Sequence, residues 1–453
     1  MDLTNQKILV VGFGVTGAPL VQFLHEKGAE IILNDSRKAE SLAHLLKPIE
    51  NLPIKTIFGS HPTDLSTYGN PDLVVLSPGV PLDLPFIELL KQQKVKIIGE
   101  VELAYQYMKA PIAAITGTNG KTTTTALTGE IFRLGGKSPQ VVGNIGVPAI
   151  SKAELLNSDQ YFVMEISSFQ LETIETFRPK AAALLNITPD HLNRHGTMDA
   201  YTALKYRIFE NQQKDDVAVI NADDPVCMAY EASFESSRLY FSRKKILKEG
   251  VFLMDDHMVY HWKNEQLSVI NYKKIRMPGL HNLENAMAAT GLALSQGISV
   301  EAVREALETF KGVEHRIEFV GSINDVNFVN DSKATNPDAA IKAIEAVAAP
   351  IILIAGGMDK KNDFTAFFEA FNQKVRQLFI YGETAPILAE TAAKMSFDSV
   401  QTVSDLEEAV NQAARIAKSG DTVLLSPACA SWDMYTSYEA RGDHFKSLVA
   451  KLK

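Results

Sequence analysis

The stretch Ile115-Thr116-Gly117-Thr118-Asn119-Gly120-Lys121-Thr122-Thr123-Thr124 carries residue types that can hold a phosphate chain. Glycines let the backbone approach an anion closely, and free N–H groups with the dipole of a following helix then hold it. Lys121 would reach the terminal phosphates, and the Thr122 hydroxyl would face a magnesium ion. The apolar run Ile112-Ala113-Ala114-Ile115 reads as a buried strand and residues 124–134 as a helix, which is the layout of a phosphate-binding loop. The common loop has its first glycine five residues before Gly-Lys, where this chain has Ile115; Gly117 lies three before Gly120, so the loop is shorter.

Other groups suited to phosphate chemistry follow. Tyr161-Phe162-Val163-Met164 reads as a strand with Glu165 at its end, where a carboxylate beside a phosphate loop can ligate magnesium. His191 stands in a loop after a strand end, among Asp190, Asn186 and Asn193, where a ligand role and a solvated role stand level. Lys205 falls in a helix over 199–209 whose Tyr201, Leu204 and Ile208 keep helical spacing. On composition alone it reads as a lysine snorkelling from a core edge. Gly143-Asn144-Ile145-Gly146 is a second glycine-rich turn. Asn282 and Asn285 share one face at the start of an alanine-rich helix and fit either a purine edge or a helix cap.

The N-terminus carries another anion-binding pattern. Lys7 to Val11 reads as a strand, Gly12-Phe13-Gly14-Val15-Thr16-Gly17 as a turn and Ala18 to Lys27 as a helix; a second strand closes with Asp35-Ser36-Arg37. Alone this fingerprint predicts NAD and an oxidoreductase. A further strand, Leu73 to Leu76, ends in Ser77-Pro78-Gly79-Val80. At the other end of the chain, Asp331-Ser332-Lys333-Ala334-Thr335-Asn336 and Ser426-Pro427-Ala428-Cys429-Ala430-Ser431 each follow a strand, where ligands bind in open α/β sheets. Cys429 reads as small packing.

These loops need alternating strands and helices to carry them. The 453 residues suggest roughly three units of ~150 residues. We place a Rossmann-like unit at 1–98, a central phosphate-loop unit at 99–312 and a second Rossmann-like unit at 313–453, an α/β architecture throughout. Residues 238–275 look like a meander of short strands. A net charge of −9 and a pI near 5.7 argue against a nucleic-acid partner. No run of 18 apolar residues suggests a membrane span. Residues 1–6 lack a signal peptide's apolar core, and two cysteines make neither a disulfide scaffold nor a zinc site, so a cytoplasmic protein is expected.

Taken together, these loops resemble the Mur ligase family, ATP-dependent amide-forming enzymes of peptidoglycan synthesis and cell wall biogenesis. The carriers are Thr116 to Thr123, Glu165, Asp190-His191, Lys205, Gly279-Leu280-His281-Asn282 and His315-Arg316. The 331–336 and 426–431 loops resemble those of the D-glutamate-adding branch. The resemblance implies that ATP meets Gly117, Thr118, Asn119, Gly120, Lys121, Thr122 and Thr123. Asn282 and Asn285 would lie near the adenine, with Arg316 and Asp331 closing from the last unit. The N-terminal turn would hold a UDP-sugar rather than NAD, through Gly14, Val15, Thr16, Asp35, Ser36, Arg37 and Gly79, with Asn144 on the phosphate or acyl group. Thr122 and Glu165 would hold one Mg2+; His191 and a carbamylated Lys205 would hold a second. Lys333, Thr335, Ser431 and Tyr438 would bind D-glutamate. Lys360 is carried over; Met358 departs from the Asp that some members have there, and Asp359 is unassigned.

The implied reaction activates the terminal carboxylate of UDP-N-acetylmuramoyl-L-alanine as an acyl phosphate, which the amine of D-glutamate then attacks. Lys121, His191, Lys205 and Glu165 are its expected catalytic groups, and a monomer is expected. An NAD-dependent oxidoreductase leaves residues 116–123 unexplained. A non-catalytic nucleotide switch leaves Lys205, Asp331 and Lys333 without roles. Another amino acid-adding Mur ligase would differ only in the C-terminal loops.

Overall fold

A computed structural model of the chain describes residues 1–144, 147–155, 158–229, 234–358 and 362–452. Ile145, Gly146, Asp359 and Lys360 lie outside the described residues. The described residues fold around three sheets in sequence order. The first contains β1 (Lys7–Val11), β2 (Glu30–Asp35), β3 (Lys55–Phe58), β4 (Leu73–Leu76) and β5 (Lys96–Gly99), all parallel in the order β3-β2-β1-β4-β5. The strand order reverses between β1 and β4, so the loops leaving these two strands open a crevice at their C-terminal ends.

The central sheet holds β6 (Ile112–Thr116), β7 (Ser138–Gly143), β8 (Gln160–Glu165), β9 (Ala181–Leu184), β10 (Val217–Asn221), β11 (Ser237–Ser242), β12 (Gly250–Met254), β13 (His257–Trp262) and β14 (Glu265–Asn271). Their order is β14-β13-β12-β11-β10-β9-β6-β8-β7. β6 lies between β8 and β9, and every residue of these three strands is buried. Helices cover both faces of such a parallel sheet, which is why the strands read as continuous apolar runs. The expected meander holds for β12, β13 and β14, but β11 pairs β12 in parallel. Alternation along a strand is the same in either pairing, so the sequence pattern cannot separate them.

The last sheet comprises β15 (Glu318–Ile323), β16 (Val326–Asn330), β17 (Ile351–Gly356), β18 (Val375–Tyr381), β19 (Val400–Thr402) and β20 (Thr422–Leu425), ordered β15-β16-β20-β17-β18-β19. The sequence pattern signals no strand at β3, β7, β15 or β19, and all four are sheet edges. An edge strand keeps one side toward solvent and so carries less of an apolar signal. Here that reads Lys-Thr-Ile-Phe in β3 and Ser-Pro-Gln-Val-Val-Gly in β7.

Buried carboxylates anchor the helix that follows the first sheet onto the second unit. The helix Glu100–Tyr105 leaves β5, and Glu102 accepts hydrogen bonds from the backbone N–H groups of Glu175, Thr176 and Phe177. Glu100 accepts from the N–H of Ile150 at 2.7 Å, and burial pushes its carboxyl up to about 7. Between the second and third units, the Asp338 carboxylate accepts from the amide of Asn119 and from the Thr188 hydroxyl.

Candidate active site

The phosphate loop is preorganised by the segment that follows β9. Asn186 Oδ1 accepts from the Asn119 N–H at 2.8 Å and its Nδ2 donates to Asn119 O at 3.0 Å. The Thr118 N–H donates to Asn186 O at 2.9 Å, and the Thr188 N–H donates to Thr118 Oγ1 at 3.0 Å. Gly120 adopts φ +86°, and a Cβ there would lie 2.2 Å from Asn285 Oδ1. Only glycine fits that position, and the loop thereby passes directly beside Asn285. The helix Lys121–Leu134 starts at the next residue, so its free N–H groups face the loop.

Two amines converge on one carbonyl. Lys121 Nζ donates to Gly117 O at 2.9 Å and Thr118 O at 2.7 Å; Lys205 Nζ donates to Gly117 O at 2.7 Å. Lys205 is buried, with its Nζ 4.5 Å from the centre of the Tyr201 ring. Burial, reinforced by the charge of Lys121, holds its pKa well below that of an ordinary lysine. The snorkelling reading therefore fails: the Lys205 head turns inward beneath the phosphate loop instead of outward to water.

Glu165 ends β8 beside that loop. Its Oε1 accepts from Asn144 Nδ2 at 2.7 Å, while the buried Oε2 has no hydrogen-bond partner. A bare carboxylate oxygen in such a place is suited to a cation. Gly143 brings Asn144 there: its φ is +107°, and a Cβ would fall 2.4 Å from Glu165 O. His191, with φ +53°, has Nε2 3.6 Å from Asp190 Oδ2. Among the described residues no group of three or more His, Cys, Asp or Glu side chains is gathered for a metal. A magnesium ion here would take most of its ligands from phosphate and water, as that ion commonly does.

The third unit faces this loop with cations. Arg316 Nη1 lies 3.8 Å from Asp331 Oδ1, and Asp331 also accepts from Ser426 Oγ at 2.8 Å and the Ile317 N–H at 3.2 Å. Burial nonetheless raises the Asp331 carboxyl to about 6. Lys333 Nζ donates to the Tyr438 hydroxyl at 3.0 Å and sits 4.8 Å from that ring's centre. Burial lowers its ammonium to about 8, against the pull of Glu165. Arg441 is wholly buried and was not singled out in the sequence. It donates to Ser332 Oγ and O and to Cys429 O, and so locks together the two C-terminal loops.

One cavity of about 550 Å³ takes its walls from all three units. It is lined by Val15 and Thr16 from the first; Thr118 to Thr123, Asn144, Glu165 and His191 from the second; and Arg316, Lys333, Thr335 and Tyr438 from the third. Gly117, Lys205, Asn282, Asn285 and Asp331 stand behind or beside that lining, the last four all buried, whereas Ser431 is buried and is not part of the lining. Asn285 Nδ2 donates to Asn282 Oδ1 at 3.1 Å, so the two amides do share a face. Beside them His281 is half-buried, its buried Nε2 lacks a hydrogen-bond partner, and its pKa is pushed down to about 3 by burial and by Arg316. The walls also include Gln170, Asn336 and Glu439, to which the sequence reading attached no role. Gln170 carried a signal: Ser167-x-x-Gln170 is a capping box that fixes the short helix after Glu165.

A second pocket of about 410 Å³ lies at the β1/β4 crevice and holds Gly14, Val15, Thr16, Asp35, Ser36, Arg37 and Gly79. Asp35 is spent on the protein itself. Its Oδ2 accepts from the Phe13 N–H at 2.7 Å and Arg37 Nη2 at 2.8 Å, and its Oδ1 from the Arg37 N–H at 2.8 Å and Nε at 3.0 Å. In the dinucleotide pattern this acid would hold ribose hydroxyls.

A phosphate loop at the centre of a parallel sheet, with a carboxylate at its side and cations approaching from another α/β unit, defines a nucleotide-binding α/β protein built to hold several anions at once. Family comparison makes this specific. Residues 6–99 match the Mur ligase MurD-like N-terminal domain, 115–293 the Mur ligase middle domain and 315–429 the Mur ligase glutamate ligase domain. The chain belongs to the Mur ligase family, whose members are ATP-dependent amide-forming enzymes. It is 53% identical over 453 residues to the UDP-N-acetylmuramoylalanine--D-glutamate ligase of Alkaliphilus metalliredigens, with 100% of both chains covered. The enzyme of that name from Clostridioides difficile is 47% identical over 455 residues, again with 100% of each covered. The solved UDP-N-acetylmuramate-alanine ligase of Thermotoga maritima shares the fold at a TM-score of 0.60 and 21% identity, covering 99% of this chain and 100% of that one. Among the described residues, no helix is long and apolar enough to cross a membrane.

Proposed function

We propose that this chain joins D-glutamate to the L-alanyl carboxylate of UDP-N-acetylmuramoyl-L-alanine, at the expense of ATP, in the precursor pathway of peptidoglycan. It works as a cytoplasmic monomer, with units at 1–98, 99–312 and 313–453. The observation that carries this reading is the single cavity in which the N-terminal turn, the phosphate loop and Lys333 meet. Three reactants, each anionic, need three anion-holding walls around one reacting centre.

The first step brings a carboxylate against the γ-phosphate of ATP, so positive charge must offset two anions. Lys121 and Arg316 supply it from the protein. Magnesium ions, when bound, neutralise charge across the phosphates. The bare Oε2 of Glu165 with the Thr122 hydroxyl fits one ion. His191 with a carbamylated Lys205 fits the other. A protonated amine neither ligates a cation nor adds carbon dioxide; burial favours the neutral, nucleophilic amine that can. Asn282 and Asn285 hold the adenine, and Asp331 steadies Arg316. In the second step the amine of D-glutamate attacks the acyl phosphate, with its carboxylates held by Lys333, Thr335, Ser431 and Tyr438.

Phosphate release with ATP and UDP-N-acetylmuramoyl-L-alanine, compared across D-glutamate, L-alanine, L-lysine and D-alanyl-D-alanine, tests the reading. Release is expected with D-glutamate alone, and hydroxylamine in its place should trap a hydroxamate. Equal release with L-lysine would end the assignment of the acceptor.

A further inference from the structure

His61 lies just beyond β3 and lines the N-terminal pocket beside the 35–37 loop, yet the ligase reading gives it no part. Its ring stacks on Phe86 with centroids 5.0 Å apart and planes 18° from parallel. Its Nδ1 stands 2.6 Å from the Oδ1 of Asn34, which is wholly buried.

The surrounding hydrogen bonds decide where the ring proton sits. Asn34 Nδ2 donates to Ile57 O and to Ser60 O, each at 2.9 Å. Flipping that amide would put its oxygen against two carbonyl oxygens, so Oδ1 must be the atom that faces His61. An amide oxygen only accepts; Nδ1 therefore carries the hydrogen. In the neutral ring the other nitrogen, Nε2, is then a bare acceptor. Burial lowers the His61 pKa and favours that neutral ring, while the charge of Asp35 works the other way. With Nδ1 tied down to the sheet end, the Nε2 edge is the one left for the pocket. The charged and buried polar side chains beside it are engaged: Asp35 has both oxygens bonded to Arg37 and the Phe13 N–H, and Ser77 Oγ donates to Gly12 O at 2.7 Å, while the Thr16 and Ser36 hydroxyls also line the pocket.

A neutral acceptor held rigidly in a nucleotide pocket selects a base that offers an N–H. Uracil offers one at N3, whereas cytosine has an acceptor at N3 and would set two lone pairs against each other. We propose that His61 is a specificity-determining residue of the nucleotide-sugar site, its Nε2 accepting the N3–H of the uracil ring. This rests on the proposed function, since it presumes that a uridine nucleotide occupies the N-terminal pocket.

Calorimetry on the full chain with UDP, CDP and 3-methyl-UDP tests it without any mutation. UDP should bind on the order of tenfold or more tighter than either analogue, the loss expected for a missing or opposed hydrogen bond. In His61→Phe, which keeps a ring against Phe86 but removes both nitrogens, that preference should collapse to within about threefold. UDP and 3-methyl-UDP binding equally to the unaltered protein would overturn the role of His61 and leave the ligase reading standing. Retention of the full preference in a folded His61→Phe would do the same. Absence of binding by any of these nucleotides, together with tight NAD binding, would overturn both.

Discussion

The chain builds strand, glycine turn and helix twice, at 7–26 and at 112–134, and surrounds the two copies differently. At the first, the charged side chains neutralise one another: Arg37 pairs with Asp35 at 2.8 Å, and the pair braces the turn through Phe13. At the second, Lys121 and Lys205 stack on one carbonyl while Glu165 keeps a bare oxygen nearby. A diphosphate that only has to be held is served by backbone N–H groups and a helix dipole. A phosphoryl group that has to be transferred needs charge that is not already neutralised, because it must act on what develops in the transition state. The first site is therefore quiet and the second carries frustrated, shifted groups.

That contrast orders the expected effects of mutation. Lys205→Ala should cost most, on the order of 10²–10³ in kcat, the usual price of losing a transition-state charge contact. A short carboxylic acid in the assay should restore part of the rate if the lost group is a carbamate. Steady-state kinetics with near-normal turnover would place Lys205 on the quiet side of the comparison.

Lys333→Ala should raise the KM for D-glutamate well above any change in the KM for ATP, by the equivalent of ~1.5–3 kcal/mol for a charge-assisted bond. Because burial brings this ammonium to about 8, its charge is present at lower pH and is lost as pH rises through that value. The KM for D-glutamate should accordingly climb above about pH 8 in the unaltered enzyme and stay flat in the variant. A fall in kcat with unchanged KM would move Lys333 onto the phosphate instead.

Asp35→Asn should show the smallest effect on turnover and act on stability, by about 1–3 kcal/mol for a buried acceptor left with mismatched partners. Hydrogen bonds from Arg37 and from the Phe13 and Arg37 N–H groups outweigh burial and hold the Asp35 pKa below the ordinary carboxylate value. A depressed native pKa contributes stability that is complete above the unfolded value of about 3.9 and disappears as pH falls through the native one. Thermal melts of the two proteins should therefore differ at neutral pH and converge in acid. A difference that persists unchanged at low pH would mean that the Asp35 charge braces nothing.

Much of this architecture could be read from the chain alone. Lys7–Val11 and Leu73–Leu76 are bounded to the residue, because central parallel strands are apolar on both faces and their ends are sharp. The four missed strands lie at sheet edges, where half of each strand answers to water and the apolar signal fades. The same asymmetry governs the site. Lys121, Thr122 and Glu165 announce themselves by their place after a strand, since local geometry alone brings them to the crevice. Arg441 and His61 do not, because what distinguishes them is a partner far off in sequence: Ser332 for one, a buried Asn34 for the other.

By itself, then, the sequence determined the succession of units and the placement of the polar loops at strand ends, both consequences of short-range periodicity and turn chemistry. Tertiary structure alone decided which of those groups remain available. The orientation of the Asn34 amide sets the His61 proton, and a closed ring of donors uses up Asp35. Burial under the phosphate loop turns Lys205 from a surface cation into a depressed amine. Protonation and hydrogen-bond capacity depend on solvent exclusion and on partners many residues away, and neither is a property of local sequence.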